Sequence, residues 1–274
     1  MGFIEWFFKW KKRNLSYKLF IMKRTILILI VFGLFNVLNA QQSFKAWVSF
    51  YKVDESSRSD YEVMMKDYFG EIMTERVKNG CMQNWVFLSV DQNSPMAEKF
   101  THITVDVLMP GSENYSCDAV TLNSVFPNLP QSAHSMMAKM RNQSRNVVYR
   151  TRVESIVGDN SLDKTPQKMV WNFTRALSPL YKMKHMEHPE LIQKYYNADA
   201  WFAFERTESV AYASSEWNYL TVDGFENSEK MNLPAKPLPS KVQNQIDKKY
   251  GPAEKQRDIT HRIITTTLFA SADQ

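Results

Sequence analysis

FTHITVDVL (100–108) and WNYLTVDGF (217–225) decide the fold of this chain. Each alternates as a β-strand does, and each carries Thr-Val-Asp, at Thr104–Asp106 and Thr221–Asp223. A three-residue match weighs little alone. It gains weight because both copies sit at the same place in a repeated order of elements.

Upstream of the first copy, FKAWVSFYKV (44–53) reads as a strand, Asp54–Ser59 as a polar turn, and 60–79 as a helix. Tyr61, Met64, Met65, Tyr68, Phe69, Ile72, Met73 and Val77 recur there at intervals of three and four, with Asp60 placed to cap and Gly80 to stop. Strands at 82–91 and 99–108, a helix near 131–145 and a strand at 147–158 complete β-α-β-β-α-β. The order returns from 168. Strand 168–177, a helix within 179–197 around HPELIQKYY (188–196) with Pro189 in its first turn, strands 200–210 and 217–225, a helix at 240–257 and strand 260–269 follow one another. Arg145 and Arg150 reappear as Arg257 and Arg262. The fold class is therefore α+β, with two tandem ferredoxin-like units at 44–158 and 164–270 packed sheet to sheet. The competing arrangement joins them side by side, leaving open sheets to dimerise.

Alternation divides the strand faces. Ile103, Val105 and Val107 form an apolar set suited to packing under the helices, matched by Leu220 and Val222. Phe100, His102, Thr104, Asp106 and Leu108 point the other way, matched by Trp217, Tyr219, Thr221, Asp223 and Phe225.

The 274 residues are 44% apolar and 23% charged, with 17 Phe, 12 Tyr, 7 Trp and 15 Met, which argues against disorder. The formal charge of +5 misleads. Seven of 34 basic residues but one of 29 acidic ones precede residue 41, leaving 27 against 28, a net charge of −1. The body thus has no overall electrostatic reason to bind nucleic acid. MKRTILILIVFGLFNVLNA (22–40) has a basic start at Lys23 and Arg24, an apolar run over Ile26–Leu38 and a small residue, Ala40, before a cleavage point. It reads as an export signal starting at Met22 and cleaved after Ala40. The product is then periplasmic or secreted and has no membrane span after maturation. An uncleaved anchor is the alternative. Cys81 and Cys117 either close one disulfide or stay unpaired; two isolated cysteines do not define a metal site.

From 44 to 270 the chain resembles a fused pair of domains of the dimeric α+β barrel superfamily, the EthD-like and antibiotic-biosynthesis-monooxygenase-like proteins. More narrowly, through KNGCMQNWVFLSVD (78–91) and the Thr-Val-Asp strands, it resembles exported proteins of Bacteroidetes-type bacteria. The GxxDG motif of the superfamily's peroxidase branch and a proximal haem histidine are missing, so the resemblance implies no cofactor. It does imply a barrel interior between two sheets. With the faces assigned above, that interior is a mixed pocket of Trp85, Phe87, Trp217 and Tyr219 with Asp106, Arg150, Arg152 and Arg262. His102 and Asp223 are the acid/base candidates. His102 and Asp106 stand about 13 Å apart along one strand face, too far for a direct dyad.

Three functions follow: a small-molecule binder anchored by Arg150 or Arg262, an oxygenase- or EthD-like enzyme acting on an aromatic or quinone-like substrate, or a scaffold with a filled interior. Asp–Arg pairs joining the two halves are the structural alternative to a pocket. His185 and His188 in HMEH lack a third metal ligand, and no GxGxxG, P-loop or GxSxG motif is present. A monomer and a homodimer both fit this reading.

Overall fold

The computed structural model describes residues 44–113, 117–160, 162–187, 197–210, 216–234, 237–252 and 257–274. The expected export signal and the expected helix over 188–196 lie outside the described residues.

Strand β1 (Lys45–Val53) leads into α1, built from α-helical Arg58–Met64, π-helical Met65–Phe69 and α-helical Gly70–Lys78 segments. Its apolar stripe is buried as the spacing predicts, from Tyr61 to Ile72. Asp60 does not cap it. The helix opens earlier, at Arg58, and Asp60 lies in the first turn, where a carboxylate favours the helix dipole. Gly80, with φ +68°, turns the chain out of the helix. Then come β2 (Asn84–Val90), β3 (His102–Val107), the short α2 (Leu122–Val125), α3 (Gln131–Ser144) and β4 (Arg145–Asn160). The second repeat holds β5 (Lys168–Ala176), α4 (Leu180–Glu187), β6 (Ala200–Val210), β7 (Tyr219–Phe225), α5 (Ser228–Met231), α6 (Ser240–Tyr250) and β8 (Arg257–Ala270).

The strands close an eight-stranded antiparallel barrel in the order β1-β3-β2-β8-β5-β7-β6-β4. Within it, β4-β1-β3-β2 and β8-β5-β7-β6 are the same ferredoxin-like order written twice. The two sheets join through β2 with β8 and β4 with β6. Residue registers repeat as well. Trp85 lies opposite Asp106 as Trp201 lies opposite Asp223, and Arg150 faces Ser49 as Arg262 faces Asn172. At the seams Val86 faces Ala270 as Phe202 faces Gly158, with a register shift after the following residue in both. The Thr-Val-Asp strands β3 and β7 hold equivalent places, so the duplication is structural. Closure also satisfies the sheet edges within one chain, in place of the open side-by-side sheets.

Gly158 is required where it stands. A Cβ there would meet Phe202 Cδ1 at 2.2 Å. The other seam, with the smaller Val86, tolerates Ala270.

Two apolar layers hold the body together. Inside the barrel lie Val48, Phe50, Leu88, Ile103, Trp171, Phe173, Leu220 and Ile263. Outside, α1 packs Tyr61, Met64, Met65, Tyr68, Phe69 and Ile72 against Val53, Trp85 and Phe87. This reverses the expected faces. Ile103, Val105 and Val107 point into the barrel, whereas His102 and Asp106 lie in the outer layer. The interior of a closed barrel offers polar groups neither water nor free backbone. The outer layer supplies partners from helices and neighbouring strands, and the polar set goes there.

Cys81 and Cys117 are joined in a disulfide, with Cα atoms 5.4 Å apart. No helix among the described residues is long and apolar enough to cross a membrane.

Candidate functional site

One end of the barrel is stoppered by rings. Phe50 stacks on Tyr149 with centroids 4.1 Å apart and meets Phe100 at 5.0 Å and Phe173 at 5.9 Å. Trp217 completes the stopper, edge-on to Phe173 at 5.2 Å, with the Arg206 guanidinium over its indole. Towards the opposite end the side chains no longer fill the space. A cavity of about 370 Å³ remains, above the lower bound of roughly 300 Å³ for ordinary small-molecule pockets.

The cavity has two kinds of wall. Val86, Leu88, Val105 and Val107 form an aliphatic side, and Phe44, Phe202, Phe204 and Trp171 an aromatic one. Phe44 sits edge-on to both Phe202 and Phe204, at 6.1 and 5.6 Å, which holds the aromatic wall in place. Among the described residues, polar side chains line it only at Gln83, Asn84 and Thr165, and none of the lining residues is charged. Asn84 Oδ1 accepts from the backbone N–H of Ala272 at 3.0 Å and from Ser271 Oγ at 3.3 Å. Asp273 accepts from the backbone N–H of Thr165 at 3.1 Å, so the turn after β8 is tied down beside Asn84 and Thr165.

None of the residues expected in the pocket lines this cavity. Trp217 is in the stopper. His102 is fully buried under α1, between the Phe87 ring at 5.4 Å and Tyr61 at 5.3 Å. Its Nε2 donates to Glu62 Oε1 at 3.0 Å, and its Nδ1 takes the Thr101 hydroxyl at 2.9 Å. A neutral ring protonated at Nε2 satisfies both contacts. Burial holds the His102 pKa down despite Glu62, and the hydrogen bond from His102 holds Glu62 down. With both nitrogens engaged, His102 fastens helix to sheet.

Trp85 and Phe87 pack against α1. Asp106 accepts from Arg150 Nη2 at 3.4 Å, and that guanidinium lies 4.4 Å over the Trp47 ring. This Asp–Arg pair stays within one repeat. Arg152 pairs with Glu113 and, across the β4–β6 seam, with Glu208 at 3.8 Å. Tyr219 donates to Glu205 at 3.2 Å and meets Tyr181 of α4. Asp223 accepts from Asn172 Nδ2 at 3.3 Å, while Arg262 is exposed. His185 is buried against Trp201 and Tyr181; burial, then Lys184 and Arg257, push its pKa down to about 3. His188 lies outside the described residues, among which no cluster of three metal-ligating side chains occurs.

Burial pushes Asp106 and Asp223 up to about 6, against the lowering effects of Arg150 on the first and of the Asn172 hydrogen bond on the second. An acid whose folded pKa exceeds its unfolded value of 3.8 contributes stability below that value and loses it as pH rises through about 6. Asp223→Asn removes this cost. It is expected to stabilise the protein by about 1–3 kcal/mol at pH 8 and to change little at pH 4. Urea unfolding at the two pH values measures the difference, and an equal effect at both would show that charge is not its source.

In sequence the cavity lining is visible only as the apolar half of each alternating strand, and it faces the barrel instead of the helices. No protein family and no curated protein matches the chain by sequence. Solved structures do resemble it in fold. An anthrone oxidase-like protein aligns over 85% of this chain and 95% of its own, at 7% identity and a TM-score of 0.46. A candidate monooxygenase from Lactobacillus acidophilus covers 84% and 96%, at 8% and 0.44. A variant chlorite dismutase from Candidatus Nitrospira defluvii covers 82% and 92%, at 8% and 0.43. The chain is thus similar in fold to these proteins, and the likeness carries no activity with it.

Proposed function

We propose that this is an exported protein that takes a small apolar or aromatic organic molecule into its barrel. The carrying observation is the cavity of about 370 Å³, lined by aliphatic and aromatic side chains with no charged group. Export is supported by the pattern at Lys23–Ala40 and by the Cys81–Cys117 disulfide, a bond that persists in oxidising compartments.

The test is native mass spectrometry, with untargeted identification of co-purified small molecules, on protein taken from its own host. A panel of aromatic and aliphatic compounds extends it in vitro. Val107 is half-buried and lines the cavity, so Val107→Trp puts an indole into the space without displacing a tightly packed neighbour. The wild type is expected to hold an apolar guest, and Val107→Trp to weaken it more than about tenfold at an unchanged melting temperature. No guest in either arm of the experiment would return the barrel to a scaffold.

A second reading, an oxygenase- or EthD-like enzyme acting on the same guest, is favoured by the aromatic wall of Phe44, Phe202, Phe204 and Trp171, which suits a flat substrate. Dioxygen uptake and a mass change of the bound guest separate turnover from storage.

A further inference from the structure

We infer, on the reading of the barrel as a binding site, that its guest is a neutral molecule with one uncharged hydrogen-bonding end, a hydroxyl or carbonyl. It is held body-inward with that end at Gln83 and Asn84. Carboxylates of the same shape are excluded.

The deep walls offer no hydrogen bond. The indole N–H of Trp171 is already given to Thr265 Oγ1 at 2.9 Å, and Thr265 is fully buried. A polar group carried inwards would lose its water and find no partner, so the apolar part of the guest must enter first.

The polar end of the cavity is different. Asn84 Nδ2 reaches Thr165 Oγ1 at 3.5 Å, leaving its second N–H to give. Gln83 is exposed and lines the same region, bringing a second carboxamide with both a donor and an acceptor. These groups match a hydroxyl or carbonyl. Among the described residues no cation lines the cavity to pair a carboxylate, and the charge tied beside them, Asp273 on Thr165, is itself negative. An anionic end there finds no charge to pair with and meets one that repels it.

Isothermal titration of the mature protein with naphthalene, 2-naphthol and 2-naphthoate at pH 7, and with 1-decanol and decanoate, tests this. The neutral alcohols are expected to bind about tenfold or more tightly than their carboxylate counterparts. 2-Naphthol should exceed naphthalene, by a margin that shrinks in Gln83→Leu, a substitution at an exposed side chain. Carboxylates binding as tightly as alcohols, or naphthalene matching 2-naphthol, overturns the inference and leaves the cavity reading intact. Failure of every compound to bind removes both.

Discussion

Phe50→Ala is expected to cost about 3–5 kcal/mol of unfolding free energy. Phe50 is fully buried and touches three other rings of the stopper, Phe100, Tyr149 and Phe173, each from a different strand or loop. Rings from both repeats meet there, and none can swing into the gap without leaving its own contacts. The cost therefore includes the unfilled volume as well as the lost transfer energy. Phe202→Ala provides the contrast. Phe202 is half-buried and borders space that is already empty, so its truncation enlarges the cavity and should cost clearly less. Guanidinium unfolding of both variants measures this. Equal losses would show that the stopper is no better packed than the cavity wall.

Loss of the Cys81–Cys117 disulfide is expected to cost about 2–4 kcal/mol. The bond closes a loop of sequence separation 36 that contains β2 and β3, the strands that carry the aliphatic wall of the cavity. It ties the exit of α1 to the segment leading into α2, so the reduced chain regains the freedom of that whole loop when unfolded. Cys81→Ser with Cys117→Ser should melt lower than the oxidised wild type and match the wild type in reductant. Peptide mapping without reduction should recover the 81–117 crosslink. A melting temperature that ignores reductant would mean that the crosslink does not constrain the unfolded chain.

Much of the architecture was legible locally. The α1 stripe from Tyr61 to Ile72 has helical spacing and is buried as such. The element order and the Thr-Val-Asp strands announced a duplication that the barrel reproduces down to the seam registers. The start of α1 is ambiguous in sequence because Asp60 serves equally as a cap and as a first-turn carboxylate.

The site was not legible in this way. His102 and Asp106 were assigned to the interior because alternation separates two faces of a strand without saying which is which. Both faces of β3 are covered, one by the barrel and one by α1, so hydrophobicity gives no sign. Their surroundings decide. Glu62 from the helix and Arg150 from β4 complete the polar groups only in the outer layer. The cavity is further still from the chain order, since it is the volume left over when side chains from many strands meet.

By itself the sequence determined the strands, the stripe of α1 and the repeat, all of which follow from local periodicity and spacing, and it left Cys81 and Cys117 either bonded or free. Only the tertiary structure decided which face lines the barrel, where the rings stop it and where the space remains. Those depend on barrel closure, which brings Val86 of β2 to the same space as Phe204 and Leu220 of the paired strands β6 and β7, more than a hundred residues along the chain.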